Sequence, residues 1–284
     1  MSCNIYVVYH IPGVYRKSEV YFPIAVGNKK EEMPTSFLRD DEGENIAYKN
    51  DSYNELTALY RIWKDEKLIG EAVGLAHYRR YLGVGLPETH YLYRSTERAM
   101  RKIRKTEKAW AELPSDVDLV APYPAQHRSV ADYYALAHGK TDLPILLSVI
   151  EKYHPDYYDC AKRYLNGHDD YLCNLFVMKE DIFRRYAEWL FDVVEKFVEE
   201  KGDNGRLYVS ERLTGIFIQK MIEEGKNVRF APIVTIEPRE SIKVALKKVR
   251  LSGEKGKQKW KPLVHALIPT ALWRRYYRKT YEKR

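Results

Sequence analysis

VGLAHYRRYL, residues 73–82, is the stretch that organises the rest of the chain. With Ala72 in front of it, the run up to Ala76 is apolar or small without a break. Such a run reads as a short buried strand, and fully buried strands belong to parallel sheets covered by helices. The run stops at His77, and Tyr78, Arg79, Arg80 and Tyr81 follow at once. A buried strand therefore delivers an imidazole and two guanidiniums to its carboxyl edge. In open α/β sheets that edge is where ligands sit.

The flanking segments alternate in period. Residues 3–9 (CNIYVVY) are β-branched and aromatic and read as a strand, broken by His-Ile-Pro-Gly at 10–13. Residues 21–26 are a second short strand, closed by Gly27 and Asn28. Residues 39–50 are polar and turn-rich and read as a loop. Over 54–64, Leu56, Leu59, Tyr60 and Trp63 recur at helical spacing. A charged helix is expected over 94–112, a strand over 117–121, and helices over 143–165 interrupted near Pro155. A strand over 171–178 holds one polar residue, Asn174. Helices over 181–200 and 210–224 and a strand over 228–234 complete the series. Strand and helix in alternation imply an α/β layer fold with a mostly parallel central sheet.

The 284 residues are 45% hydrophobic and 31% charged, an ordinary globular composition that excludes a collagen-like or disordered chain. Cys3, Cys160 and Cys173 are too few and scattered for a disulfide framework, so a reducing compartment is expected. The amino-terminal residues lack a basic n-region, and no apolar run is long enough to span a membrane. Charge is unevenly placed. Residues 239–284 hold 15 Lys+Arg against 3 Asp+Glu, or +12, which leaves −4 for residues 1–238. A domain of residues 1–238 with a basic carboxyl-terminal extension over 239–284 is therefore expected, with its boundary near Pro238. Trp260, Leu263, Leu267, Leu272, Trp273, Tyr276 and Tyr277 add apolar and aromatic groups to that tail. Such segments bind anionic membrane surfaces, and a disordered or RNA-binding tail is the plainer alternative.

Several chemistries are missing. No G-x-G-x-x-G, G-x-x-x-x-G-K-[ST], G-x-S-x-G or H-E-x-x-H is present. No Asp-x-Asp follows a mid-chain strand, where many nucleotide-sugar enzymes hold their metal. Arginine offers a planar fork of donors matched to phosphate oxygens. Arg79 and Arg80 thus read as a metal-free diphosphate clamp; salt-bridged arginines at an exposed strand end are the alternative.

HYRRY after an apolar strand resembles the signature of a bacterial family of capsular and exopolysaccharide glycosyltransferases, often filed as a domain of unknown function. VVYHIPG (7–13), PIAVGN (23–28), DDEGENIAYKN and YNELTALYRIWK within 40–64, APYP (121–124), YLCNLFVMKEDIF (171–183) and SERL (210–213) resemble it in the same order. The likeness covers roughly residues 3–237. It implies a GT-A-like nucleotide-sugar fold, a UDP-hexose donor (UDP-galactofuranose foremost), and a glycan or lipid-linked acceptor in capsular, exopolysaccharide or O-antigen synthesis.

Within that frame His10, beside Pro12, would cup the nucleotide with the loop after the first strand; a Pro-Gly turn with a surface histidine is the alternative. His77 and Tyr78 join the clamp. Asp40, Asp41 and Asn45 would accept from uracil or ribose by the resemblance alone, since their residue types also serve turns. Asn54 and Glu55 open a helix, Asn54 as N-cap, and Glu55 is also a sugar-hydroxyl contact. Asn174 occupies a place similar to a donor-sugar asparagine of glycogenin-like transferases. Ser210 caps the last helix, and Glu211 resembles the base of inverting GT-A enzymes, with Arg212 where a second acid would stand. Helix capping and an intrahelical ion pair are the alternative for these three. His127, Arg128 and His138 are weaker candidates for the acceptor or phosphate side. No metal or cofactor is expected, with Mn²⁺ or Mg²⁺ left open, and no nucleic-acid partner. The expected place is cytoplasmic, peripheral on the inner face of the membrane. The competing classes are a non-catalytic membrane- or nucleic-acid-binding protein acting through its tail, and a phosphohydrolase using the same arginines.

Overall fold

The computed structural model describes residues 2–87, 91–202 and 205–237. The expected boundary near Pro238 and the tail over 239–284 lie outside these residues.

The strands are β1 (Cys3–Tyr9), β2 (Tyr21–Ala25), β3 (Leu38–Arg39), β4 (Ala72–His77), β5 (Arg80–Leu82), β6 (Tyr91–Tyr93), β7 (Leu119–Pro122), β8 (Ala125–Gln126), β9 (Asp169–Asp170), β10 (Phe176–Lys179), β11 (Val228–Ala231) and β12 (Ile233–Ile236). The helices are α1 (Asn50–Tyr53), α2 (Leu56–Trp63), α3 (Thr96–Arg104), α4 (Thr106–Ala111), α5 (Val130–His138), α6 (Asp142–Tyr153), α7 (Pro155–Asn166), α8 (Glu180–Lys201) and α9 (Ser210–Glu223).

The main sheet runs β11-β7-β10-β4-β1-β2-β3. β1 is parallel to β2 and β4, β2 to β3, and β11 to β7. Only β10 runs against its neighbours β4 and β7 in this row. β5 folds back on β4 and carries β12, which in turn is parallel to β6.

Alternation along β1 feeds two cores. Tyr6 and Val8 pack with Leu59, Leu146, Tyr157, Phe183 and Phe217 of α2 and α6–α9. Ile5, Val7 and Tyr9 pack on the other side with Ile103, Trp110 and Val234 of α3, α4 and β12. The sheet is thus covered on both faces, which is why β1 and β4 read as near-continuous apolar runs.

Four expectations change in detail. The strand expected over 171–178 begins only at Phe176, because Cys173 and Asn174 adopt left-handed φ of 75° and 47°. The strand over 228–234 is two strands parted at Pro232, which has no N–H for a ladder. The helix over 94–112 is α3 and α4, joined at Lys105. The loop over 39–50 holds the end of β3 and a 3₁₀ turn, Ala47–Lys49.

Gly74 lies at the centre of β4. A Cβ there would stand 2.6 Å from Val177 Cγ2 and 2.9 Å from the Phe176 carbonyl oxygen. The missing side chain lets β10 seat against β4, which fixes the strand ahead of His77. Gly74→Ala is expected to lower stability by ~1–3 kcal/mol through overpacking. Urea unfolding checks this, and an unchanged midpoint would disprove the close approach.

Candidate functional site

A cleft of about 390 Å³ opens at the carboxyl ends of β1, β2 and β4. Its floor is made by Val8, Val26 and Gly27, and the loops after the strands form its rim. His10, Asn54, Glu55, His77, Tyr78, Arg79, Arg80 and Glu211 all line it. So do Asn50, Asp51, Cys173 and Arg206, which sequence reading did not single out.

The rim is set by a tight hairpin. His77 is in register with Val8 on one side and pairs with Arg80 on the other. Tyr78 and Arg79 are therefore the two residues at the tip. The Tyr78 amide donates to the Val8 carbonyl at 3.0 Å, and the Arg79 carbonyl accepts from the Ile236 amide at 2.8 Å. Backbone bonds on both sides fix the tip. The guanidinium of Arg79 stands 5.0 Å from the Tyr78 ring centroid and forms no ion pair among the described residues. Arg206 is also exposed at the cleft without an ion pair among the described residues. Cationic donors left without carboxylate partners are suited to an anionic ligand.

Two histidines share this end. His77 Nε2 donates to the Cys173 carbonyl at 2.6 Å, which leaves Nδ1 as its other polar atom. Cys173, half-buried in the same turn, has its thiol pushed up to about 12 by desolvation, so no thiolate forms at neutral pH. His10 meets Tyr78 edge-on, with centroids 5.0 Å apart. Burial first, then the charges of Arg79 and His77, hold His10 below the usual imidazole range.

Glu55 and Glu211 bring carboxylates to the cleft. Glu55 Oε1 accepts from Asn174 Nδ2 at 2.6 Å. Glu211 Oε2 accepts from Arg212 Nη2 at 3.0 Å.

Several expected residues stand elsewhere. Asn174 is 1% exposed and lies behind the wall, in the left-handed turn and not within a strand. It donates to Ser210 Oγ at 3.2 Å and accepts from Thr214 Oγ1 at 2.6 Å. Its direct partner is Glu55, so it positions a cleft carboxylate. Ser210 is the first residue of α9, with Val209 preceding it, and its hydroxyl makes no cap. Arg212 is buried and does not line the cleft; its Nη1 donates to Asp170 at 2.7 Å. Asn54 is not a side-chain N-cap either. Its φ is +51°, it links α1 to α2, and its carbonyl accepts from Asn50 Nδ2 at 2.8 Å. Asp41 and Asn45 do not reach the cleft. Asp41 pairs with Lys30 at 2.6 Å, and Asn45 closes a turn on the carbonyls of Asp41 and Gly43. Asp40 is fully buried and accepts from Thr57 Oγ1 at 2.7 Å; Thr57 in turn holds Asn50 at 2.8 Å. It supports the cleft at one remove.

GT-A-like folds bring a divalent metal to mind. Among the described residues no three His, Cys, Asp or Glu side chains come together as ligands for one.

A family model described as a domain of unknown function, DUF4422, matches residues 4–223. Comparison with curated proteins finds no match. Among solved structures, the apo structure of the WbbM bifunctional glycosyltransferase is similar at TM-score 0.74 and 26% identity, covering 84% of this chain and 46% of that one. The chain thus spans about half the length of that protein. Its fold is the α/β, GT-A-like architecture with a mostly parallel central sheet.

The electrostatics of the rim can be read by titration. In NMR, His10 is expected to titrate below the ordinary value of about 6.5, and Arg79→Ala to raise the midpoint. Protonating His10 then opposes folding, so its contribution to stability is full above about pH 6.5 and falls away as pH drops through its folded value. A midpoint that ignores Arg79→Ala would show that the two side chains do not sense each other. A second test concerns the wall: Asn174→Ala takes from Glu55 its amide donor and from Thr214 one of its buried partners, and is expected to cost ~1–3 kcal/mol in urea unfolding.

Proposed function

The chain belongs to the DUF4422 family, and from that premise we propose that it is a glycosyltransferase. It moves a hexosyl group from a UDP-sugar to a glycan or lipid-linked acceptor in surface-polysaccharide synthesis. UDP-galactofuranose is the foremost donor. The observation that carries this reading is the rim hairpin, which sets Arg79 and Arg80 in a cleft that also holds Glu55 and Glu211. The likeness to a bifunctional glycosyltransferase supports it.

The donor's diphosphate binds at Arg79, Arg80 and Arg206, with the base and ribose toward His10 and the β2 end. Asn174 holds Glu55 ready to accept a hydrogen bond from a sugar hydroxyl. Glu211 takes the proton of the acceptor hydroxyl. The acceptor oxygen then bonds to the anomeric carbon, the bond from that carbon to the phosphate oxygen breaks, and its electron pair leaves on UDP. A single displacement of this kind inverts the anomeric centre and needs one base opposite the leaving group. Arginine donors neutralise the charge that develops on the diphosphate, the task a divalent cation performs elsewhere. Transfer is therefore proposed to be metal-independent.

The tail over 239–284 is proposed to hold the enzyme at the anionic inner face of the membrane, beside a lipid-linked acceptor. Among the described residues no helix is long and apolar enough to cross a membrane.

A screen of nucleotide sugars by thermal shift, followed by transfer assays, tests the reading. Turnover is expected to persist in excess EDTA. Arg79→Ala should lower kcat by about 10²–10³-fold, the range seen when one donor to a developing anion is removed. Glu211→Gln should abolish transfer and leave UDP affinity within about twofold, as expected for a base that does not touch the nucleotide. Abolition by EDTA with rescue by Mn²⁺, or an Arg79 variant of unchanged turnover, would refute the clamp.

A further inference from the structure

Beyond the cleft, the residues that follow Arg206 lead to a second surface. Tyr208 stands between two cleft residues in sequence, Arg206 and Glu211. Its ring stacks on His138, the last residue of α5, with centroids 4.1 Å apart and planes 17° apart. A second pair stands on the same helix. Tyr133 stacks on His127 at 3.8 Å and 6°. Tyr133 and Tyr208 are 39% and 43% exposed, and Leu136 on the same helix is 88% exposed. Large side chains left this open on one short helix and its neighbour call for an occupant.

Both pairs are tied to Glu211. Arg212, bonded to Glu211, also bonds to Asp170. His127 Nε2 lies 3.4 Å from the same Asp170 oxygen that accepts from Arg212, and that nitrogen has no hydrogen-bond partner. The same carboxylate accepts from Tyr164 at 2.9 Å, so it is held in place. The bonded chain Glu211–Arg212–Asp170 therefore runs to the edge of the first aromatic pair, and the backbone from Arg206 to Glu211 carries the ring of the other.

We propose that these two stacked pairs form an acceptor platform, a subsite that binds the last sugar rings of a neutral oligosaccharide and leads its hydroxyl to Glu211. This rests on the transferase reading above. The chemistry suits a saccharide. One face of a sugar ring carries weakly positive C–H groups that settle on the negative face of an aromatic ring. Its hydroxyls find the phenol groups of Tyr133 and Tyr208 at the edges. Nearby charges suit a neutral ligand as well, because Arg128 already meets Asp132 at 3.4 Å. A lipid surface would ask instead for unpaired cations around the rings.

The test uses the full chain with two probes, UDP by calorimetry and galactotetraose by saturation-transfer NMR in the presence of UDP. Wild-type protein should transfer saturation to the C–H protons of the tetrasaccharide. Tyr208→Ala and Tyr133→Ala should weaken that binding at least about fivefold, on the scale of one lost aromatic contact, and leave UDP affinity within about twofold. Tyr208→Phe, which keeps the ring and loses only the phenol, should weaken sugar binding less than Tyr208→Ala does. The platform is overturned if wild-type protein gives no tetrasaccharide signal, or if the alanine variants bind it normally. It is also overturned if those variants lose only binding to phosphatidylglycerol vesicles. Failure of wild-type protein to bind UDP would instead remove the transferase reading, while the sugar signal still reports on the platform.

Discussion

A buried amide holds the cleft together. Asn174 sits almost without solvent contact, donating to Glu55 and Ser210 and accepting from Thr214. Thr214 meets Tyr186 of α8 at 2.6 Å. Three elements are joined through one side chain, the start of α2, the turn before β10 and the start of α9, and Thr214 carries the link on to α8. In an apolar interior each of those polar groups would cost free energy if left alone. Their mutual satisfaction leaves one arrangement of α2 against α9, and so one placement of Glu55 relative to Glu211. Asn174 makes these bonds from a left-handed backbone, φ 47°. Asparagine tolerates it better than most residues.

On the other side of the cleft the constraint is in the backbone. β4 is seated between β1 and β10 by the bare face of Gly74, and β5 returns along its edge to reach β12. Tyr78 and Arg79 have little freedom at that tip. A rigid hairpin lowers the reorganisation needed when charge develops on a bound group. The buried pair Arg212–Asp170 serves the carboxylate side in a similar way. It keeps Arg212 out of the cleft while its second arm steadies Glu211.

Much of this was legible in local sequence. β1, β4 and α8 declare themselves by alternation or helical spacing, because each buries a face that its own residues must supply. HYRRY was placed at a sheet rim because the apolar run ends there. What escaped depends on distant partners. No glycine or asparagine marks Tyr78-Arg79 as a turn; β12, more than 150 residues later, makes it one. Asn174 read as a strand residue because its apolar neighbours hide a positive φ. Asp41 and Asn45 are ligand candidates by family resemblance alone; their residue types point to a turn, and they serve Lys30 and the loop itself. Arg206 lies in a loop with no pattern. The meeting of His138 with Tyr208 joins positions that no spacing rule connects.

Charge counting shows why position matters more than sum. Arg79, Arg80 and Arg206 face Asp51, Glu55 and Glu211 around the same cleft, so the formal charges cancel apart from the two histidines. A diphosphate is not drawn to such a site by net potential. Attraction has to come from separation, with two of the cations grouped on the hairpin and Glu55 fixed on α2 through Asn174. His10, kept neutral by burial and by its cationic neighbours, adds no charge to blur that division. A divided field of this kind does two things at once. On the proposed transfer, the cations would stabilise charge leaving with the phosphate at one end and a carboxylate would take the hydroxyl's proton at the other. A site of uniform sign would serve only one of those steps, which is why the carboxylates belong in the same cleft as the arginines.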